Sequence, residues 1–215
     1  MKRAKIDLNF EIKSMGVSFY VPIILTLFIT IYFFSISEPE ISLVIALKLI
    51  EFLFVPFSSW WVIYLFYDYF EEEGGEILFS YPVSVINLGI ARVMIFVLFY
   101  NVLLLMVVAA IALNSQQEVF INLIFQSVPQ VIFFSGLAFS LMTFFKDIAI
   151  SISFIAVYVV TELLSGGQVM PWYHVFFFNE IILDLGTIIP KSLLNTIIGS
   201  LLFWFGHYYL TFKQK

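Results

Sequence analysis

Cysteine is absent from this chain, so disulfides and thiolate metal sites are excluded outright. Histidine is nearly absent: His174 and His207 are the only two, far apart in sequence. There is no His-Glu-x-x-His, no Gly-x-Ser-x-Gly and no pair of carboxylates at metal-ligand spacing within an apolar run. An intramembrane protease or metalloenzyme would need such groups. Both histidines read instead as amphipathic rings at an interface. A Gly-x4-Gly-Lys-Ser/Thr phosphate loop is missing too, so the chain does not hold ATP in the P-loop manner. Charge is scarce as well. Charged residues make up 12% of the 215, against roughly 25% in a soluble domain, and that deficit points to a membrane.

What fills the chain is apolar: 62% hydrophobic residues, 27 of them phenylalanine, and a mean hydropathy of +1.04. A helix needs about 20 apolar residues to cross the hydrocarbon. Val17–Ile36, Ile41–Tyr67, Val93–Leu113, Val119–Phe145, Ile148–Leu164 and Ser192–Phe212 each qualify, the fifth on the short side. The expected fold class is therefore all-α integral membrane, with six transmembrane helices in a single domain over residues 17–212. The first run lacks a small-residue cleavage site and is expected to remain as a span. Before it, Ile6, Leu8, Phe10 and Ile12 alternate with Asp7, Asn9, Glu11 and Lys13. That period of two reads formally as a strand, but a lone strand has no partner. We expect residues 1–16 to form a surface-bound cytoplasmic elbow, and 213–215 a cytoplasmic tail.

The net charge of −5 says little, because charge in a membrane protein matters by side. With both termini inside, Lys2, Arg3, Lys5, Lys13, Arg92, Lys146, Lys213 and Lys215 are inside, leaving Lys48 and Lys191 outside or near it. Aromatics agree: Trp60, Trp61, Tyr64, Tyr67 and Tyr69 crowd the inner end of span two, and Trp204, Tyr208 and Tyr209 that of span six. The stretch 165–191 between spans five and six is then external. Within Val175–Ile189 and just beyond, Glu180, Asp184, Thr187 and Lys191 recur at helical spacing. This predicts an amphipathic or re-entrant helical element with those four on one face.

Polar residues inside the spans are the candidates for function. Lys48 and Glu51 lie three apart and can pair on a helix. They serve either as a polar contact in a translocation route or as a snorkelling lysine with its partner. Asn101, Asn122, Gln126, Gln130 and Glu162 can hold helices together through hydrogen bonds. Gln126 and Gln130, at i and i+4 around Pro129, make one stripe that could line a cavity.

The run Phe70–Arg92, FEEEGGEILFSYPVSVINLGIAR, is the substantial polar connection between two long spans. Glu71, Glu72 and Glu73 end span two, and Gly74-Gly75 allow a change of direction. Glu76–Tyr81 can form a short helix that Pro82 stops, with Ser84 capping the next. This segment resembles the connection between spans two and three of the type-2 ATP-binding-cassette exporter permeases. There a Glu- and Gly-containing run is followed by E-L-L-L-S-L-P-V-S and a basic residue ten positions after the proline. Glu76, Ile77, Leu78, Phe79, Ser80, Tyr81, Pro82, Val83 and Ser84 match in spacing, and Arg92 falls ten after Pro82. The interval from glycine to Glu76 is about one residue shorter here, and Val85 stands where a basic residue is common.

The resemblance implies a half-transporter permease subunit in the plasma membrane of a bacterium. It would pair with a second permease subunit, identical or sister, and with cytoplasmic ATPase subunits that carry the ATP and Mg. No cofactor and no nucleic-acid partner are expected for this chain itself. Residues 70–84 would be the coupling segment on the ATPase, through Glu71, Glu72, Glu73, Gly74, Glu76, Ile77, Leu78, Phe79, Tyr81 and Pro82. The cargo class left open by the resemblance is narrowed by the Phe-rich spans to something amphipathic or apolar, a peptide being our choice. The competing reading is a non-transporting immunity or regulatory protein that binds a peptide or partner in the bilayer.

Overall fold

A computed structural model describes residues 7–36, 39–70, 86–113, 117–169 and 173–212. Every regular element among them is helical, and no strand is present among the described residues. Six helical stretches are long and apolar enough to cross a membrane: Leu8–Ser35, Ile41–Tyr64, Gly89–Leu113, Val119–Phe145, Ile148–Ser165 and Leu185–Thr211. The chain is a multi-pass membrane protein.

The first span opens with α1 (Leu8–Met15), whose N-terminus is capped by Asp7 accepting from the Asn9 and Phe10 amides. The alternating residues from Leu8 to Lys13 therefore lie in a helix, not a strand, with Glu11 and Met15 buried. Gly16, at φ 55°, ends α1 with a change of direction that glycine alone adopts freely. A 3-10 segment (Gly16–Tyr20) leads into α2 (Val21–Ser35).

Span two departs from the single run expected over Ile41–Tyr67. It comprises α3 (Pro39–Leu49), a π segment (Ile50–Phe54), a turn and α4 (Ser58–Tyr64). Pro56 is the cause: it has no N–H, and its ring crowds the carbonyl four residues back, so the helix widens ahead of it. The Val55 amide reaches back five residues to the Ile50 carbonyl (2.8 Å), and the Phe54 carbonyl accepts from the Tyr100 hydroxyl instead. A short α5 (Tyr67–Phe70) follows.

A second π segment (Asn87–Ala91) starts span three and continues as α6 (Arg92–Leu113). Span four is α7 (Gln117–Phe145), the most buried of the six. A two-residue turn, with Lys146 at φ 58° and Asp147 capping the Ile150 amide, leads to α8 (Ile148–Ser165). The last helix, α9 (Leu185–Phe212), packs along α7 more extensively than any other pair. Glycines set that approach. A Cβ on Gly199 would lie 2.8 Å from the Phe133 nitrogen, and one on Gly136 would lie 2.5 Å from the Gly199 carbonyl. Pro129 withholds an amide from the Phe125 carbonyl, and Ser192 Oγ of α9 donates to that oxygen (2.6 Å). On the outside of the bundle, Leu98, Val102 and Met106 of α6 and Leu193, Ile197, Leu201 and Trp204 of α9 are exposed, as lipid contact requires.

The stretch after α8 corrects the expectation most clearly. Residues 173–184 are not helical, and α9 begins at Leu185, seven residues before the expected start of span six at Ser192. Glu180, Asp184, Thr187 and Lys191 therefore do not share one helical face. Asp184 caps α9: its carboxylate accepts from the Thr187 amide (3.2 Å) and hydroxyl (2.6 Å). An interval of three is common to a helix face and to a cap, and here it marks the cap. The segment folds into the bundle, with Val175 and Phe176 fully buried.

Candidate functional site

Glu51 stands in the π segment of span two, 2% exposed, and its carboxylate faces the 173–184 loop. One oxygen accepts from the Phe177 amide and the other from the Phe178 amide (3.1 Å), successive N–H groups converging on one anion. Gln130 Nε2 of α7 donates to the same carboxylate (3.0 Å), with Gln126 Nε2 at 3.5 Å. Gln130 also donates to the Val175 carbonyl (3.1 Å), joined there by Asn195 Nδ2 of α9 (3.3 Å). Lys191 of α9 donates to the Phe176 carbonyl and lies within electrostatic reach of Glu51 and Glu162. Gln126 donates to Asn179 Oδ1 (2.9 Å), and Asn122 Nδ2 to the Leu183 carbonyl (2.8 Å). Side chains of α7, α9 and span two thus satisfy, bond by bond, a loop backbone that has no helix to satisfy it.

The Phe176 ring completes the contact, with centroids 5.0 Å from Phe52, 5.6 Å from Phe134 and 6.4 Å from Tyr158. Phe178 is held at φ 58°, a left-handed conformation that a bulky residue adopts only at a cost. Tyr173 donates its hydroxyl to Asn195 Oδ1, and burial pushes the Tyr173 phenol up to about 12. Glu162, fully buried in α8, meets His174 Nδ1 at 3.2 Å.

Lys48 and Glu51, expected as a pair, part company. Lys48 bonds Glu180 at 2.6 Å on the surface, and its ammonium holds the Glu180 carboxyl below the usual value through that hydrogen bond and its charge. The Asp184 carboxyl is likewise lowered, first by its bond from Thr187. A cleft of about 620 Å³ opens beside the pair, walled by Ile45, Phe52, Leu163 and Phe178. The Gln126–Gln130 stripe faces span two and the loop, with Gln130 at 0% exposure, and its hydrogen bonds hold elements together, the first of the two uses open to it. Asn101 bonds the Val97 carbonyl of its own helix (2.8 Å), not a neighbour.

A second polar knot lies apart from the loop. Arg92, at the head of α6, forms a buried ion pair with Glu11 of α1 (3.2 Å) and donates to the Leu65 carbonyl just after α4. Its guanidinium stands 5.4 Å over the Phe66 ring. Nearby, Trp60 and Trp61 donate their indole N–H groups to the Ser18 and Phe19 carbonyls. The coupling candidates Glu71, Glu72, Glu73, Gly74, Glu76, Ile77, Leu78, Phe79, Tyr81 and Pro82 lie outside the described residues; in sequence, Leu65 of the knot precedes that stretch and Arg92 follows it.

Sequence reading picked Glu51, Gln126 and Gln130 because they are polar within apolar runs. It missed Asn179, Asn195 and the anchoring role of Lys191, for which the signal was a charge directly before an uncharged run. Chemically the cradle binds backbone. Among the described residues no cluster of three or more His, Asp or Glu is arranged to hold a metal ion. No family model, curated protein or solved structure matches the chain.

Proposed function

We propose that the chain is the membrane-spanning permease subunit of an ATP-driven exporter of the type-2 ABC kind. The observation that carries this is the register from Glu76 through Pro82 to Arg92, together with the place Arg92 takes in the fold. Arg92 ties α1, the end of span two and the start of span three into one buried knot. A partner pressing on residues 71–85 therefore pushes on three elements at once. In this reading both termini and that knot are cytoplasmic, α1 is part of the elbow, and the 173–184 loop closes the external end. ATP and Mg reside on a separate ATPase, and nucleotide biases the spans between inward- and outward-facing states. The cargo is amphipathic or apolar.

Extraction in a gentle detergent tests it. An ATPase should co-purify, and replacing Glu72, Glu76 or Pro82 should abolish transport while both permease copies still assemble. Recovery without an ATPase, with transport indifferent to those replacements, ends the export reading; no transport by the unaltered chain either favours a non-transporting immunity or regulatory protein.

A further inference from the structure

We infer that the 175–178 segment occupies a peptide-binding site of this chain, and that a separate extended apolar peptide can take its place. Along Val175–Phe178 two carbonyls and then two amides are each met by a side chain from elsewhere. Gln130 and Asn195 meet the first carbonyl, Lys191 the second, and Glu51 both N–H groups. All four contacts are to backbone, so they recognise a peptide without regard to its sequence. Selectivity comes from the ring pocket of Phe52, Phe134 and Tyr158, which takes an aromatic side chain at the second position.

The chemistry names the occupant. If the loop simply left, the buried carboxylate of Glu51 would lose two of its donors and Gln130 its second acceptor, leaving them only each other and Gln126, which is costly in a bilayer. Only a ligand with the same series of acceptors and donors replaces it. A lipid tail has no N–H for Glu51, and a glycan lacks the successive carbonyls and amides of a peptide backbone. The resident segment is also an imperfect ligand, because Phe178 sits at φ 58°. A peptide with glycine at that position adopts the conformation without strain. The loop's far flank is held at the surface by the exposed Lys48–Glu180 pair, a contact that opens readily. The ligand class is thus a short extended apolar peptide, aromatic at its second position and glycine at its fourth. This gives the export reading its cargo and rests on that reading only for the word cargo.

The absence of cysteine makes the test direct, because one introduced thiol is unique. An Ile181→Cys variant, at an exposed loop position, is labelled with an environment-sensitive dye and placed in lipid nanodiscs without any ATPase. It is titrated with acetyl-Val-Phe-Phe-Gly-amide and with the analogue methylated on its third and fourth amide nitrogens. We expect a saturable dye response to the first, and binding of the methylated analogue weaker by about tenfold or more, since two hydrogen bonds to a charged group are lost. Equal responses to both peptides, which would be partition by hydrophobicity, overturn the site, as does no response to either. The ATPase co-purification is a separate measurement, so the export reading and the peptide site fail independently.

Discussion

At the scale of the residue, Glu51 decides how the loop stands. Its carboxylate is the common acceptor for two loop amides and two glutamines, and removing it strands donors that have no water to turn to. Glu51→Ala should lower stability by about 3 kcal/mol, the usual consequence of breaking a buried charged hydrogen-bond set. Glu51→Gln, which keeps one acceptor oxygen, should cost less. Thermal unfolding in detergent measures both, and hydrogen exchange should show the loss of protection concentrated in 173–184. Glu180 supplies a pH dependence of known sign. Its carboxyl is lowered by Lys48, so the contact is present above the ordinary carboxylate range and is lost as pH falls through the lower, folded value. Exchange in the loop should therefore rise as pH falls below the ordinary carboxylate range, and Glu180→Gln should flatten that rise, leaving only the part due to Asp184. Glu51, Gln126 and Gln130 were legible because a polar side chain in an apolar run stands out. Their main partners were not, because a backbone N–H or carbonyl leaves no mark in a sequence.

At the scale of the element, apolar runs told where the helices lie, and glycines tell how closely two of them approach. With Gly136 and Gly199 facing each other, a side chain at either meets backbone that cannot rotate away. Gly199→Ala should cost about 2 kcal/mol by overpacking and loosen α7 from α9. The readout is detergent-dependent unfolding, with Gly16→Ala, which meets open space but loses its backbone freedom, as a control for conformational cost alone. Pro56 and Pro129 explain what periodicity could not show. The first turns span two into two α pieces with a π segment between them, and the second is compensated by a serine 63 residues later in the chain. The spacing within Val175–Ile189 predicts a helix throughout because cap and face share an interval of three, and only the fold separates the loop up to Asp184 from the helix after it.

At the scale of the whole molecule, two polar knots stand apart in a bundle whose described core is mainly apolar. One is the Glu51 cradle, the other the Arg92–Glu11 pair. Removing one partner of that pair leaves an uncompensated buried charge and should destabilise by about 3–5 kcal/mol, whereas Glu11→Leu with Arg92→Met should restore much of the loss. A double-mutant cycle in thermal unfolding measures this. On the export reading the double variant should fold and still fail to couple hydrolysis to transport. The π segment of span two adds a consequence for how this chain tolerates change. A π turn carries one residue more than the α turn it replaces, so it is an insertion held in place by Pro56. Deleting a single residue from Ile50–Phe54 would restore an ordinary α turn and leave the helix ahead of it close to its present phase, whereas the same deletion in a regular helix turns one half by about 100° against the other. Lys48 would stay within reach of Glu180 and Trp60 and Trp61 would keep their bonds to the first span, so this segment is where span two best tolerates a missing codon.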